Sequence, residues 1–124
     1  MINPRYNRQK GKAGEREVAE LMSRLSGVKY RRVPSSGALH GYLDYDLMKE
    51  NRSQPSVFDG VGNEVKNTKK LTVPQWIQQI EVACEDAGNS QRWFIAMKHR
   101  GKWYFMLNEQ YFSELVEARK LSTG

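Results

Sequence analysis

The chain has 124 residues, and its twenty Lys and Arg against fourteen Asp and Glu leave a net charge of +6 at pH 7. Nine of the basic residues and only three of the acidic ones lie within residues 1–32, so the whole net charge lies in the first quarter and indicates a polyanionic partner. An apolar content of 39% excludes a disordered tail. Purely apolar runs of at most five residues exclude a membrane span, and one Cys with two His excludes an internal disulfide and a zinc finger.

The N-terminal half is predicted to contain one helix and three strands. Residues 1–10 form a basic, partly ordered arm, and apolar residues at i, i+3, i+4 and i+7 predict a helix over residues 13–25. The strands are predicted over residues 28–33, 44–48 and 57–67. Because the chain has no apolar segment typical of a secretory signal, we expect a cytoplasmic protein.

The C-terminal half is predicted to add a helix, a hairpin and a last helix. Thr72 and Gln75 have the spacing of a capping box, and the helix that they open ends near Gly88. Residues 92–98 and 102–107 have the pattern of a β-hairpin. Asn108 then caps a final helix, which is predicted to pack through Phe112, Leu115 and Val116. The predicted order is αβββαββα, an α/β protein with a mixed sheet and helices packed on it.

Acidic and basic side chains on two predicted strands could form a site. Glu64 and Lys66 alternate with Val65 and therefore point to one face, and Asp44 and Asp46 share a face of the preceding strand. Carboxylates about 4 Å apart repel by roughly 4 kcal/mol, so such a cluster persists only with a compensating cation or function. With oxygen ligands, that cation would be Mg²⁺ or Mn²⁺. The alternatives are an exposed Glu–Lys pair, worth about 0–1 kcal/mol, and aspartates that only solubilise a loop.

The first helix supplies another candidate carboxylate. Glu15 lies at the edge of the apolar stripe formed by Val18, Leu21 and Met22, near where a sheet would pack. The alternative is an ordinary acid in the first turn, which favours the helix dipole.

Three segments taken in order resemble a known family. The runs Lys10–Glu17 (KGKAGERE), Arg32–Gly37 (RVPSSG) and Glu64–Lys70 (EVKNTKK) resemble archaeal-type Holliday junction resolvases of the PD-(D/E)XK nuclease superfamily. Small phage-encoded nucleases of that superfamily are nearest in size. The resemblance implies one restriction-endonuclease-like domain over residues 1–124, with a mixed central β-sheet flanked by helices. It also implies a Mg²⁺-dependent endonuclease, with Mn²⁺ as a substitute, acting as a homodimer on branched or four-way-junction DNA in the host cytoplasm.

The resemblance also assigns roles to individual residues. Asp46 and Glu64 match the metal ligands, together with the Val65 carbonyl. Glu15 supports the metal, Lys66 is the catalytic lysine and Ser36 lies near the scissile phosphate. The spacing from aspartate to glutamate is longer than in the family and no Pro precedes either Asp, so Asp44 stays an alternative to Asp46. The implied DNA contacts are Lys10, Lys12, Arg16, Arg31, Arg32, Ser35, Lys69 and Lys70.

Two other functions are compatible with the sequence. One is a nicking or restriction-like nuclease that acts on other DNA structures. The other is a non-catalytic basic module, which would bind nucleic acid equally with EDTA and with Mg²⁺. An apolar dimer face could be formed by Trp76, Trp93, Tyr104 and Phe105, although we expect all four to lie in the core. Gln79 resembles a glutamine that follows the lysine in some members of the superfamily.

Overall fold

The computed structural model describes residues 4–34, 45–88 and 90–123. Its elements follow in the predicted order, αβββαββα, and confirm the α/β class. They are α1 (Pro4–Ser26), β1 (Tyr30–Arg32), β2 (Leu47–Lys49), β3 (Val61–Lys66), α2 (Val73–Asp86), β4 (Arg92–His99), β5 (Lys102–Leu107) and α3 (Glu109–Thr123).

The strands of the described segments form two sheets. Strand β4 lies in the centre of a mixed sheet, with β3 parallel on one side and β5 antiparallel on the other. Helix α2 connects the two parallel strands, as a parallel pair requires. Strands β1 and β2 form a separate antiparallel pair, with Arg31 opposite Met48. The predicted single central sheet is therefore a mixed three-stranded sheet with a two-stranded sheet beside it.

Alternation along β4 divides the core into two clusters. Phe94 and Ala96 pack with α1 and with Tyr111 of α3. Trp93 and Ile95 point to the opposite face and pack against α2. Both helices thereby bury one face against the same strand, and β3 lies between them.

Helix α2 lies very close to β3. A Cβ placed on Gly62 would lie 2.7 Å from Sγ of Cys84 and 3.0 Å from the ring of Tyr45. Only glycine allows this separation without a shift of the neighbouring atoms. The approach fixes the position of α2 relative to the middle of β3, where the candidate site lies.

Several predicted boundaries were wrong. Helix α1 begins at Pro4 rather than at residue 13, so most of the predicted arm over residues 1–10 is helical. Arg, Gln and Lys are good helix formers and extend the helix beyond its apolar stripe, and Pro is tolerated in the first turn. Strand β3 begins at Val61 rather than at residue 57, because residues 56–59 form a hydrogen-bonded turn and Gly60 follows it with a φ of 75°.

The two helix caps differ in outcome. Thr72 precedes α2 but makes no side-chain capping hydrogen bond, so the predicted capping box is absent. Asn108 caps α3 as predicted, since its Oδ1 accepts a hydrogen bond from the Tyr111 N–H at 3.1 Å.

The predicted hairpin has a tight turn. Its residues Arg100 and Gly101 both have positive φ, as a type I′ turn requires.

The buried face of α3 was predicted wrongly. Tyr111 is buried, whereas Phe112, Leu115 and Val116 are 59%, 45% and 41% exposed. Tyr111 packs into the core with Phe94 and Ala96 of β4, and the partly exposed ion pair between Arg92 and Glu114 accompanies this rotation of the helix. The residues expected to pack α3 onto the sheet therefore form an exposed apolar stripe.

Of the four aromatic residues considered for a dimer face, two are buried and two are partly exposed. Trp76 and Trp93 belong to the core as expected, while Tyr104 and Phe105 of β5 are 50% and 43% exposed. Within the part of the chain that the structure describes, no helix is both long and apolar enough to cross a bilayer.

Candidate active site

The backbone holds the carboxylate of Asp46 against the middle of β3. Asp46 directly precedes β2 and is not part of it, so the predicted strand position was wrong. Its Oδ2 accepts a hydrogen bond from the Val65 N–H at 2.7 Å. Its carbonyl accepts one from the Val33 N–H at 2.9 Å. Asp46 is thereby tied to both neighbouring strands, whereas its rival Asp44 lies outside the described residues.

A buried asparagine positions the segment that carries Asp46. Asn63 of β3 is 3% exposed. Its Oδ1 accepts the Leu47 N–H at 2.8 Å, and its Nδ2 donates to the Leu47 carbonyl at 3.0 Å. Asn63 thus replaces a strand ladder between β2 and β3. No prediction from the sequence included Asn63, although an amide within a buried strand pattern is an available signal, since Asn is depleted in strands.

Glu64 and Lys66 share a face of β3, as the alternation predicted. Lys66 Nζ lies 3.2 Å from Glu64 Oε1. It also donates a hydrogen bond to Gln79 Oε1 of α2 at 2.9 Å, and it lies 5.8 Å from the ring centroid of Trp76. Two elements therefore hold the ammonium group beside the carboxylates.

The electrostatics of the site show that the carboxylates lie close enough to repel one another. Removal from water, together with repulsion from Glu64 and Glu15, raises the pKa of Asp46 to about 8, although the hydrogen bond from Val65 and the charge of Lys66 oppose this. Burial likewise raises the pKa of Glu64, and the attraction of Lys66 only partly opposes it. The site is thus short of positive charge.

Glu15 joins this group from α1. Arg32 of β1 donates from Nε to Glu15 Oε2 at 2.7 Å, and both side chains are about three-quarters buried. The ion pair brings together the predicted supporting glutamate and a predicted DNA contact. Since Arg32 is already paired with Glu15, it stabilises the acidic cluster from the side of β1.

The structure brings together two segments of the chain that carry predicted DNA-binding residues. Gly14 packs against Asn67, just beyond the end of β3, where a Cβ on Gly14 would lie 3.0 Å from Asn67 Cβ. Asn67 Nδ2 also donates to the Lys10 carbonyl at 3.1 Å. The predicted DNA contacts with exposed side chains are Lys12, Arg16, Arg31, Lys69 and Lys70. Ser35 and Ser36 lie outside the described residues.

The donors present suit a hard divalent cation. Asp46 and Glu64 offer carboxylate oxygens, which Mg²⁺ prefers, and a bound cation would favour the charged forms that burial and neighbouring carboxylates disfavour. No cluster of three or more Asp, Glu, His and Cys arranged as a complete ligand set occurs in residues 4–34, 45–88 and 90–123. Mg²⁺ commonly keeps several waters and needs only one or two protein carboxylates, so the pair fits the ion.

A mixed sheet between helices, with a carboxylate and a lysine on one face of a strand and a second carboxylate held beside that strand, is the arrangement of the PD-(D/E)XK class of nucleases. The family model described as "Phage putative PDDEXK endonuclease" matches residues 6–123, and the chain belongs to that family. The chain is also similar to Protein D14 of Escherichia phage T5, with 28% identity over 114 residues, covering 82% of this chain and 71% of that protein. No solved structure matches this chain significantly. The expected relation to small phage-type PD-(D/E)XK nucleases is confirmed.

Proposed function

We propose that the protein is a Mg²⁺-dependent, structure-selective DNA endonuclease that resolves four-way junctions in the host cytoplasm. The observation that carries the proposal is the placement of Asp46 and Glu64, two mutually repelling carboxylates, beside Lys66. Membership of an endonuclease family supports nucleic acid as the substrate. The charge of the first quarter of the chain supports a polyanion.

In this proposal the residues of the site divide the work of phosphodiester hydrolysis. Asp46, Glu64 and the Val65 carbonyl hold Mg²⁺ or Mn²⁺, and Glu15 supports them. The bound ion supplies positive charge and lowers the pKa of a coordinated water. Lys66 orients the attacking water or stabilises charge that develops on the phosphoryl oxygens. Water attacks phosphorus, the P–O3′ bond breaks, and the products carry a 3′-hydroxyl and a 5′-phosphate.

The proposed DNA path follows the basic residues. Lys10, Lys12 and Arg16 on α1 and Lys69 and Lys70 after β3 would bind phosphates on the side of the site formed by those two segments. Arg31 and Arg32 would continue the path along β1. Ser35 and Ser36, in the loop that follows, are proposed to lie near the scissile phosphate.

The first experiment compares branched and linear DNAs with Mg²⁺ and with EDTA. We expect cleavage of four-way junctions only with Mg²⁺, and none by Glu64→Gln or Lys66→Ala protein purified in the same way. Equal cutting by these variants would contradict the site. Binding that leaves DNA intact and is the same with Mg²⁺ and EDTA would instead identify a non-catalytic module. Preferential cutting of other DNAs would identify a nicking or restriction-like nuclease.

Resolution of a junction needs two symmetric nicks, which a homodimer with twofold symmetry supplies. The exposed apolar stripe of Phe112, Leu115 and Val116, together with half-exposed Phe105, supports a second copy as the partner. Light scattering at micromolar concentration is expected to give twice the monomer mass, and Phe112→Ser should shift it towards the monomer. A monomeric parent protein would contradict junction resolution and favour a nicking enzyme.

A further inference from the structure

Helix α2 presents a row of glutamines to the candidate active site. We propose that Gln75 and Gln78 form a DNA-contact surface that binds the uncharged parts of the strand, sugar and base edges, beside the scissile phosphate. The inference rests on the proposed nuclease function and adds a second wall to its substrate site.

One groove joins the carboxylates to this row. It has a volume of about 610 Å³, and its walls include Asp46 and Glu64 on one side and Gln75, Gln78 and Gln79 on the other. The three glutamines have the i, i+3, i+4 spacing that places side chains on one face of a helix. DNA with a phosphate at the carboxylates would therefore lie against this face of α2.

The glutamine wall is held in place before any ligand binds. Trp76 and Ile80 of α2 are buried in the core, and the close approach at Gly62 fixes the helix against β3. Gln79 is also tied to the site, because it accepts the hydrogen bond from Lys66. Gln75 and Gln78 are exposed on this fixed helix, so their amides can bind a ligand at little ordering cost beyond their own side chains.

The charge distribution indicates which part of DNA faces the wall. Residues 71–91 contain no Lys or Arg, while Glu81, Glu85 and Asp86 make this segment acidic. Asp86 itself lines the groove. A phosphate backbone is attracted to the cations of α1 and of Lys69 and Lys70, away from α2. Sugar and base edges are then left facing the wall, and amide groups both donate to and accept from these.

Salt dependence of binding separates this role from that of the basic residues. Each protein is titrated with fluorescent junction and linear DNAs in EDTA, which prevents cleavage, between 50 and 200 mM salt. The Gln75→Ala/Gln78→Ala double variant is expected to bind about tenfold more weakly at every salt concentration. The slope of log K against log salt should stay unchanged, because no phosphate contact is removed. Gln79 stays unaltered in all proteins, because it contacts Lys66.

Two control variants complete the design. Gln91→Ala removes an exposed glutamine that lies outside the groove and should bind like the parent. Lys12→Ala/Arg16→Ala should weaken binding and reduce the slope by about 1 to 2.

The outcomes distinguish this inference from the function on which it rests. Parent-like affinity of the double glutamine variant, or a reduced salt slope in it, would overturn the inference. The proposed nuclease function would not be affected by either result. A parent protein that neither binds nor cuts DNA would overturn both. A loss of affinity with an unchanged slope, found in the glutamine variant and absent from Gln91→Ala, is the supporting result.

Discussion

Asp46→Asn is expected to abolish cleavage while making the metal-free protein more stable at alkaline pH. The substitution removes the negative charge proposed to hold the cation, so we expect a loss in cleavage rate of roughly 10³-fold. It also removes a carboxylate whose burial and repulsion from Glu64 raise the pKa of Asp46 to about 8. The two effects have opposite signs, which is typical of a residue kept for function at the expense of stability.

The pH dependence follows from the direction of the pKa shift. The unfolded chain loses the Asp46 proton near the ordinary value of 3.8, whereas the folded protein keeps it until about pH 8. Between these values the folded state binds more protons, so this group's contribution to stability falls as the pH rises. An asparagine at this position has no such titration, so the variant's advantage over the parent should grow by about 1.4 kcal/mol for each pH unit between pH 5 and about 8.

Urea unfolding in EDTA at the two pH values measures this difference. The matched control is Asp86→Asn, an exposed acid that lines the same groove. It should show no pH-dependent gain in the free energy of unfolding. If the Asp46→Asn protein cut DNA at the parent's rate, or if its stability difference were equal at pH 5 and pH 8.5, the role given to Asp46 would be wrong.

The order of the elements could be predicted because periodicity records which side chains are buried. The alternation in β3 and β4 placed Glu64 and Lys66 on one face and Val65 on the other, and the structure agrees. The same reasoning failed for α3, since Phe112, Leu115 and Val116 have a helical spacing that is equally compatible with an exposed stripe. Burial of Tyr111 among residues of α1 and β4 sets the rotation, and a contact between segments so far apart in the chain is not visible in the local sequence pattern.

The position of Asp46 could be predicted only in part. Its proximity to Glu64 was expected from two paired strands, but Asp46 lies before β2, and β2 does not form a regular ladder with β3. The connection is made by the side chain of Asn63, which spans 16 residues of sequence. Such a contact depends on tertiary packing, so the spacing of residues along the chain does not reveal it.

One ion pair connects the basic first quarter of the chain with the acidic cluster of the candidate site. Arg32 belongs to the basic first quarter and Glu15 to the acidic cluster, and the two form an ion pair with both side chains largely buried. A cation of β1 therefore borders the carboxylates that would otherwise repel a phosphate. The remaining positive charge on exposed Lys12 and Arg16 stays available to DNA.

Asn63→Ala is expected to cost about 2–4 kcal/mol of stability and to abolish cleavage by the protein that remains folded. The variant leaves the Leu47 N–H and carbonyl without the partners that Asn63 supplies, and an unsatisfied buried polar group costs about 1–3 kcal/mol. Cleavage is lost because Leu47 follows Asp46 directly. Release of this segment moves the carboxylate away from Glu64, and a small displacement of a reacting group costs about 10²-fold in rate.

Urea unfolding and single-turnover cleavage, both at a temperature where the variant is folded, separate the two effects. Asn51→Ala serves as the matched control, because Asn51 is exposed and its side chain accepts only a local hydrogen bond from Ser53. It should change stability by less than about 1 kcal/mol and leave cleavage unaltered. Asn63→Asp keeps the acceptor for the Leu47 N–H but loses the donor and adds a charge beside Glu64, so it should not restore cleavage. Parent-like cleavage by folded Asn63→Ala protein would show that the Asn63 side chain is not needed to position Asp46, and that its main-chain hydrogen bonds and the bond from the Val65 N–H to its carboxylate suffice.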